Sequence, residues 1–122
     1  MWPWEHAAVA YLAYSLLVRV RRGRPPTGAE ALTLAVASVV PDLIDKPLAW
    51  EFGVFDAGYG ITHSALVAVP VSAAAVYGSR FSDRLPVAAA FATGWLLHLP
   101  GDLFVGYVHQ GYVPFARVLW PV

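Results

Sequence analysis

Four apolar stretches joined by short loops limit what this chain can fold into more than any other feature. They run from His6 to Val18, from Ala29 to Val40 with a continuation towards Trp50, from Ile61 to Tyr77, and from Leu85 to Val108, where Pro100-Gly101 interrupts the last. Length and Ala/Leu content favour helices; the stretches are too uniformly apolar for periodicity to decide. They also lack the alternation of barrel strands, and four strands cannot close a barrel. A soluble bundle would need a polar skin. Here 58% of residues are hydrophobic and 13% charged, against roughly 45–50% and 25% in ordinary soluble domains. Mean hydropathy is +0.56. The expectation is an all-α integral membrane bundle of about four transmembrane helices, forming one domain over residues 1–122. A span needs about 20 residues. The first two stretches reach that length only if Trp2-Pro3-Trp4 and the segment from Asp42 to Trp50 serve as interfacial ends.

The loops supply an orientation. Arg19, Arg21, Arg22 and Arg24 lie between the first two stretches, Arg80 and Arg84 between the last two; together they are six of the eight basic residues. Cytoplasmic loops carry such an excess. The expected protein is therefore a multi-pass inner-membrane protein, with both termini and the loop from Lys46 to Gly60 facing outward. Trp2, Trp4, Trp50, Phe52 and Phe115 would gather at the outer interface. The first basic cluster follows the first apolar stretch, so the N-terminus does not read as a cleavable signal. A net charge of zero gives no basic surface for nucleic acid, so none is expected as a partner. The absence of cysteine excludes thiolate metal sites and a cysteine nucleophile.

The chemistry is concentrated at one depth. Pro41-Asp42-Leu43-Ile44-Asp45-Lys46-Pro47 places two carboxylates and an ammonium beside hydrocarbon-like sequence, and the two prolines disfavour a straight continuous helix. With the topology above, His6, Asp42, Asp45, His63, His98 and Asp102 all fall near the outer end, from four different stretches. An unpartnered Asp costs about 2.5–3.5 kcal/mol at a bilayer centre, and intramembrane ionisable groups are functional by default. A shared divalent cation offsets that cost directly. His98 and Asp102 are an i, i+4 pair, which a helix points at one ion, although Pro100 between them can bend it. Thr62-His63-Ser64 puts an imidazole at a helix start, with Thr62 a natural N-cap. His109, past the fourth stretch, reads as interfacial.

Taken together, His6, the Pro41-Asp42-Leu43-Ile44-Asp45-Lys46 block, Thr62-His63-Ser64 and His98-x-x-x-Asp102 resemble the membrane-bound, predicted metal-dependent hydrolases of the YdjM-like family, over residues 1 to about 108. The resemblance implies a small helical inner-membrane protein with a His/Asp metal site. Two departures stand out. The family often carries a His-Arg pair where this chain has Gly58 and Tyr59, and its acidic block is often Asp-x-Asp where this chain has Asp42-x-x-Asp45.

The expected function is a membrane-bound, metal-dependent hydrolase of a phosphoester or lipid-like substrate, with membrane lipid as its surroundings. His6, Asp42, Asp45, His63, His98 and Asp102 are the expected ligands. Asp45 serves either as a further ligand or as the general base, and Lys46 stabilises a developing anion. Imidazole and carboxylate ligands suit Zn²⁺ first, then Mn²⁺ or Fe²⁺. Two other classes remain: a metal or proton transporter, against which stands the expectation that the inner halves of the spans carry no ionisable residue, and a non-enzymatic scaffold folded around its metal. The alanine triplets 73–75 and 88–90 suit close helix packing or homo-oligomerisation.

Overall fold

The computed structural model describes residues 1–122 and contains four α-helices and no strand. They are α1 (Pro3–Arg22), α2 (Gly28–Trp50), α3 (Ala65–Gly78) and α4 (Leu85–Gln110), with short 3-10 turns at Ile61–His63 and Phe115–Arg117. Local sequence sets the ends. Pro3 opens α1, where a missing N–H costs nothing, and Gly23 closes it at φ 63°. Thr27 caps α2 by a reciprocal pair: its hydroxyl accepts from the Glu30 amide, and its own amide donates to the Glu30 carboxylate. Gly111, at φ 76°, ends α4.

Two expectations about prolines and caps are corrected. α2 continues through both Pro41 and Pro47, and α4 through Pro100. Packing against neighbouring elements overrides the local preference, and the Pro41 carbonyl is tied to the following loop by the Thr62 hydroxyl at 3.1 Å. Thr62 therefore does not cap α3. Ser64 occupies that N-cap position, but its hydroxyl donates to the Trp120 carbonyl at 2.7 Å instead.

The chain winds up and down. α2 and α4 run parallel and form the central pair: Gly94 lies against Leu34 and Ser38, and His98 reaches the Ser38 carbonyl. α1 runs antiparallel to both, with Tyr14 donating towards the Glu30 carboxylate and the Pro86 carbonyl, each at 2.8 Å. Gly94 is what lets the central pair meet. A Cβ there would stand 2.6 Å from the Leu34 carbonyl oxygen and 3.0 Å from the Ala37 Cβ. The loop after α1 and the loop after α3 share one end of the bundle; Lys46 to Gly60 and both termini share the other. Between the ends lies a dry layer of Ala10, Tyr14, Val18, Leu34 and Ala90, and a second cluster joins Ala68, Trp95, Leu99 and Val118.

The expected four-helix all-α architecture is present, but no helix is long and apolar enough to cross a membrane. The reason is visible in the helices themselves. α3 has 14 residues. α2 carries Glu30, Asp42, Asp45 and Lys46, while α4 carries His98 and Asp102. These groups lower the average hydropathy, yet most point inward: Glu30, Asp42, Asp45, His98 and Asp102 are all buried. The outside is the apolar side, with Leu12, Leu16, Leu32, Val36, Leu66 and Val69 all exposed. Trp2, Trp4, Trp50, Phe52 and Phe115 are exposed where the termini gather.

The expectation of no ionisable residue at the opposite end is also wrong. Glu30 is fully buried there. It accepts from Tyr14, the Thr27 amide and both Arg24 guanidinium nitrogens, the last at 2.7 and 3.0 Å. Arg24 thus serves α2 directly as well as adding to the basic end.

Candidate metal centre

At the opposite end of the bundle from Glu30, four buried side chains from three elements meet. Asp42 comes from α2, His63 from the 3-10 turn, and His98 and Asp102 from α4; one ligand-type atom of each lies within 4.8 Å of all the others. His63 Nε2 is 3.1 Å from His98 Nε2, 3.3 Å from Asp42 Oδ1 and 3.5 Å from Asp102 Oδ2. His98 Nε2 is 3.4 Å from Asp102 Oδ2 and 3.7 Å from Asp42 Oδ1. Ligands held about 2.0–2.1 Å from a tetrahedral ion are separated by roughly 3.3 Å, so these spacings suit one ion.

Protons sharpen this fit. His98 Nδ1 lies 2.7 Å from the Ser38 carbonyl, which can only accept, so Nδ1 carries the hydrogen. His63 Nδ1 likewise donates to Asp45 Oδ2 at 2.8 Å. Both Nε2 atoms of the neutral rings therefore present lone pairs, and these face each other. Two lone pairs at 3.1 Å repel unless a cation or a proton stands between them. Asp42 Oδ1 faces the Lys46 ammonium at 2.8 Å, whereas the buried Oδ2 has no partner. An orphaned carboxylate oxygen next to facing imidazole lone pairs is what a divalent cation satisfies; the four residues fit one.

The other expected site residues lie around the four. Asp45 sits behind His63 and not among the cluster: it accepts from the amides of Gly60, Thr62 and His63 as well as from His63 Nδ1. Its two oxygens are thus occupied in shaping the turn that carries His63. His6 stacks on His98 with ring centroids 3.8 Å apart, and its Nε2 is 3.1 Å from Asp102 Oδ1, the oxygen turned away from His63. Lys46 reaches only Asp42. His109 is exposed at the end of α4.

Several contributors carry no sequence signal. Ser38 acts through a carbonyl that any residue offers. Trp95 donates its indole N–H to the Thr62 carbonyl at 2.8 Å, locking the 3-10 turn onto α4. Tyr59 meets the His63 ring edge-on with centroids 5.0 Å apart, occupying one flank of the site.

The family model described as YdjM inner membrane protein matches this chain over residues 1–122. The chain belongs to that family. The match extends the likeness seen in the motifs through the C-terminal 3-10 turn. Nothing among curated proteins or among solved structures matches.

Proposed function

We propose that this family member is a multi-pass membrane protein whose buried cluster holds one divalent metal ion and hydrolyses a phosphoester or lipid-like substrate at the outer interface. The observation that carries the reading is the pair of facing Nε2 atoms, each fixed by its Nδ1 partner and flanked by two carboxylates. Membrane embedding is supported by the exposed apolar flanks of the bundle. Averaging hydropathy along each helix counts the inward-facing His and Asp against it, although lipid would not meet them. The arginines at the opposite end support an outward-facing site.

Asp42, His63, His98 and Asp102 would hold the metal, Zn²⁺ first and Mn²⁺ or Fe²⁺ next by donor type. When bound, such an ion polarises an ester and lowers the pKa of a coordinated water. The chain's own residues do the rest. Asp45 and the Ser38 carbonyl fix the two imidazoles; His6 and Lys46 hold Asp102 and Asp42. Outer partners of this kind are worth about 10–100-fold in metal affinity. A mostly apolar groove of about 470 Å³ between α1 and α4, lined by Val9, Leu97, Pro100, Phe104 and Val105 with Met1 and Glu5 at the α1 side, runs past the Asp102 turn and supports an acyl-bearing substrate.

A second reading has its own support. Four protein ligands complete a tetrahedron, and complete sets are typical of structural sites, whereas catalytic ones leave a position open. In that case the metal clamps α2, α4 and the 3-10 turn together, and no reaction follows.

Elemental analysis of detergent-purified protein, beside His98→Ala and Asp102→Ala, tests the centre. About one metal per chain, lost in both variants, is expected. Metal-loaded protein is then assayed on a panel of phosphoesters and phospholipids. Metal without turnover on any of them favours the scaffold; no metal under any loading condition refutes both readings.

A further inference from the structure

Arg117 was not among the expected site residues, yet the C-terminal 3-10 turn brings it onto Tyr59, the ring that flanks His63. The segment is firmly placed. Val118 is buried in the second core cluster, its carbonyl accepts from the Ala65 amide at 2.8 Å, and the Trp120 carbonyl takes the Ser64 hydroxyl. The Arg117 guanidinium lies 4.8 Å from the centre of the Tyr59 ring, whose other contact is His63. It also crosses Gly106, one helical turn beyond Asp102: a Cβ at 106 would stand 3.0 Å from an Arg117 terminal nitrogen and 2.5 Å from the Pro114 ring.

What Arg117 lacks is a partner. No carboxylate lies within ion-pair distance of it, in contrast with Arg24 and Lys46. No protein acceptor takes a hydrogen bond from its guanidinium, although the residue is half-buried. Guanidinium groups present a planar fork of donors suited to phosphate and carboxylate oxygens.

We propose that Arg117, held on Tyr59 and Gly106, is the anion-binding residue of this centre and selects substrates with a phosphoryl group beside the metal. The catalytic half of this proposal rests on the hydrolase reading above; the binding half does not.

The test uses the full chain in detergent, loaded with zinc, and inorganic phosphate as the probe, with binding followed by calorimetry and zinc by elemental analysis. Arg117→Ala should weaken phosphate binding by about tenfold or more, with zinc content unchanged. Arg117→Lys should restore part of the loss, because a point charge lacks the fork. Gly106→Ala, which pushes Pro114 off α4, should weaken phosphate binding while leaving every ligand in the chain. The proposal is overturned if zinc-loaded wild type binds no phosphate, or if Arg117→Ala binds it as wild type does. Loss of zinc in both Arg117 variants also overturns it, since the residue would then be structural. Arg117-dependent phosphate binding without hydrolysis of any phosphoester leaves the anion site standing and removes only the hydrolase reading.

Discussion

Asp45 offers the sharpest test of how the centre is built, because ligation and positioning predict different orders of damage. Its Oδ2 accepts from the Gly60 amide, the His63 amide and His63 Nδ1 at 2.8–2.9 Å; its Oδ1 accepts only from the Thr62 amide, at 3.3 Å. Gly60, Thr62 and His63 are buried. Asp45→Ala orphans all four donors. An unsatisfied buried donor costs about 1–3 kcal/mol, so the smallest total is about 4 kcal/mol. That is most of the margin of a small domain, about 5–15 kcal/mol. The turn carrying His63 should lose its shape and the chain its metal.

Asp45→Asn is milder if Asp45 only positions. The amide can rotate its oxygen into the Oδ2 place and keep three of the four donors, losing the longest bond, a cost of about 1–3 kcal/mol. Metal affinity should fall by about tenfold, the lower end for an outer partner. The assay is competition for zinc against a chromophoric chelator on detergent-solubilised protein, with thermal unfolding followed by circular dichroism on the same samples. The expected order is wild type, then Asn, then Ala, in both measurements. If Asn loses metal as completely as Ala while remaining folded, the charge itself is needed and Asp45 ligates directly. If Ala keeps wild-type affinity, the positioning account is wrong.

Three further outcomes follow from other parts of the fold. Imidazole ligands bind a metal through a deprotonated nitrogen, so apparent zinc affinity should strengthen as pH rises from 6 to 8, and calorimetry in buffers of different ionisation enthalpy should show proton release. Glu30→Ala strips the acceptor from Tyr14, Thr27 and Arg24 and should destabilise by about 3 kcal/mol, with zinc content of the folded fraction unchanged; loss of zinc there would show that the two ends are coupled. Gly94→Ala drives a methyl to 2.6 Å from the Leu34 carbonyl, which backbone cannot easily yield, and should cost about 1–3 kcal/mol in thermal or detergent-induced unfolding.

Much of this was legible before any coordinates. The apolar stretches became helices because Ala- and Leu-rich sequence with Thr27 and Gly23 at the right places has few alternatives. The His98 and Asp102 pairing survived Pro100 because the helix did. What sequence could not distinguish was a side chain inside the cluster from one that stands behind it. Asp42 and Asp45 are both buried acids in one block; only the position of the 3-10 turn separates them, since it presents its amides to Asp45 and its imidazole edge to Asp42. Arg117 was hidden for a different reason. Its place depends on a return of the chain along Gly106 and Ala65, a long-range packing that no local pattern records.

The distribution of polarity along the bundle also weighs against a conduit. A path for metal or protons from the His/Asp cluster would have to reach the opposite end through Ala10, Leu34 and Ala90, each fully buried and without a polar atom in its side chain. Beyond that layer stands Glu30, the one buried acid that could relay. It is already saturated by Tyr14, Thr27 and a two-nitrogen grip from Arg24, so releasing or accepting an ion there breaks a cap as well as an ion pair. Ser38, the nearest polar group on the path, returns its hydroxyl to Ala35 and spends its carbonyl on His98. An ion moving down this axis would cross these apolar contacts before meeting the Tyr14 hydroxyl, which is already engaged with Glu30 and the Pro86 carbonyl. An ion confined to the His/Asp cluster meets no such barrier.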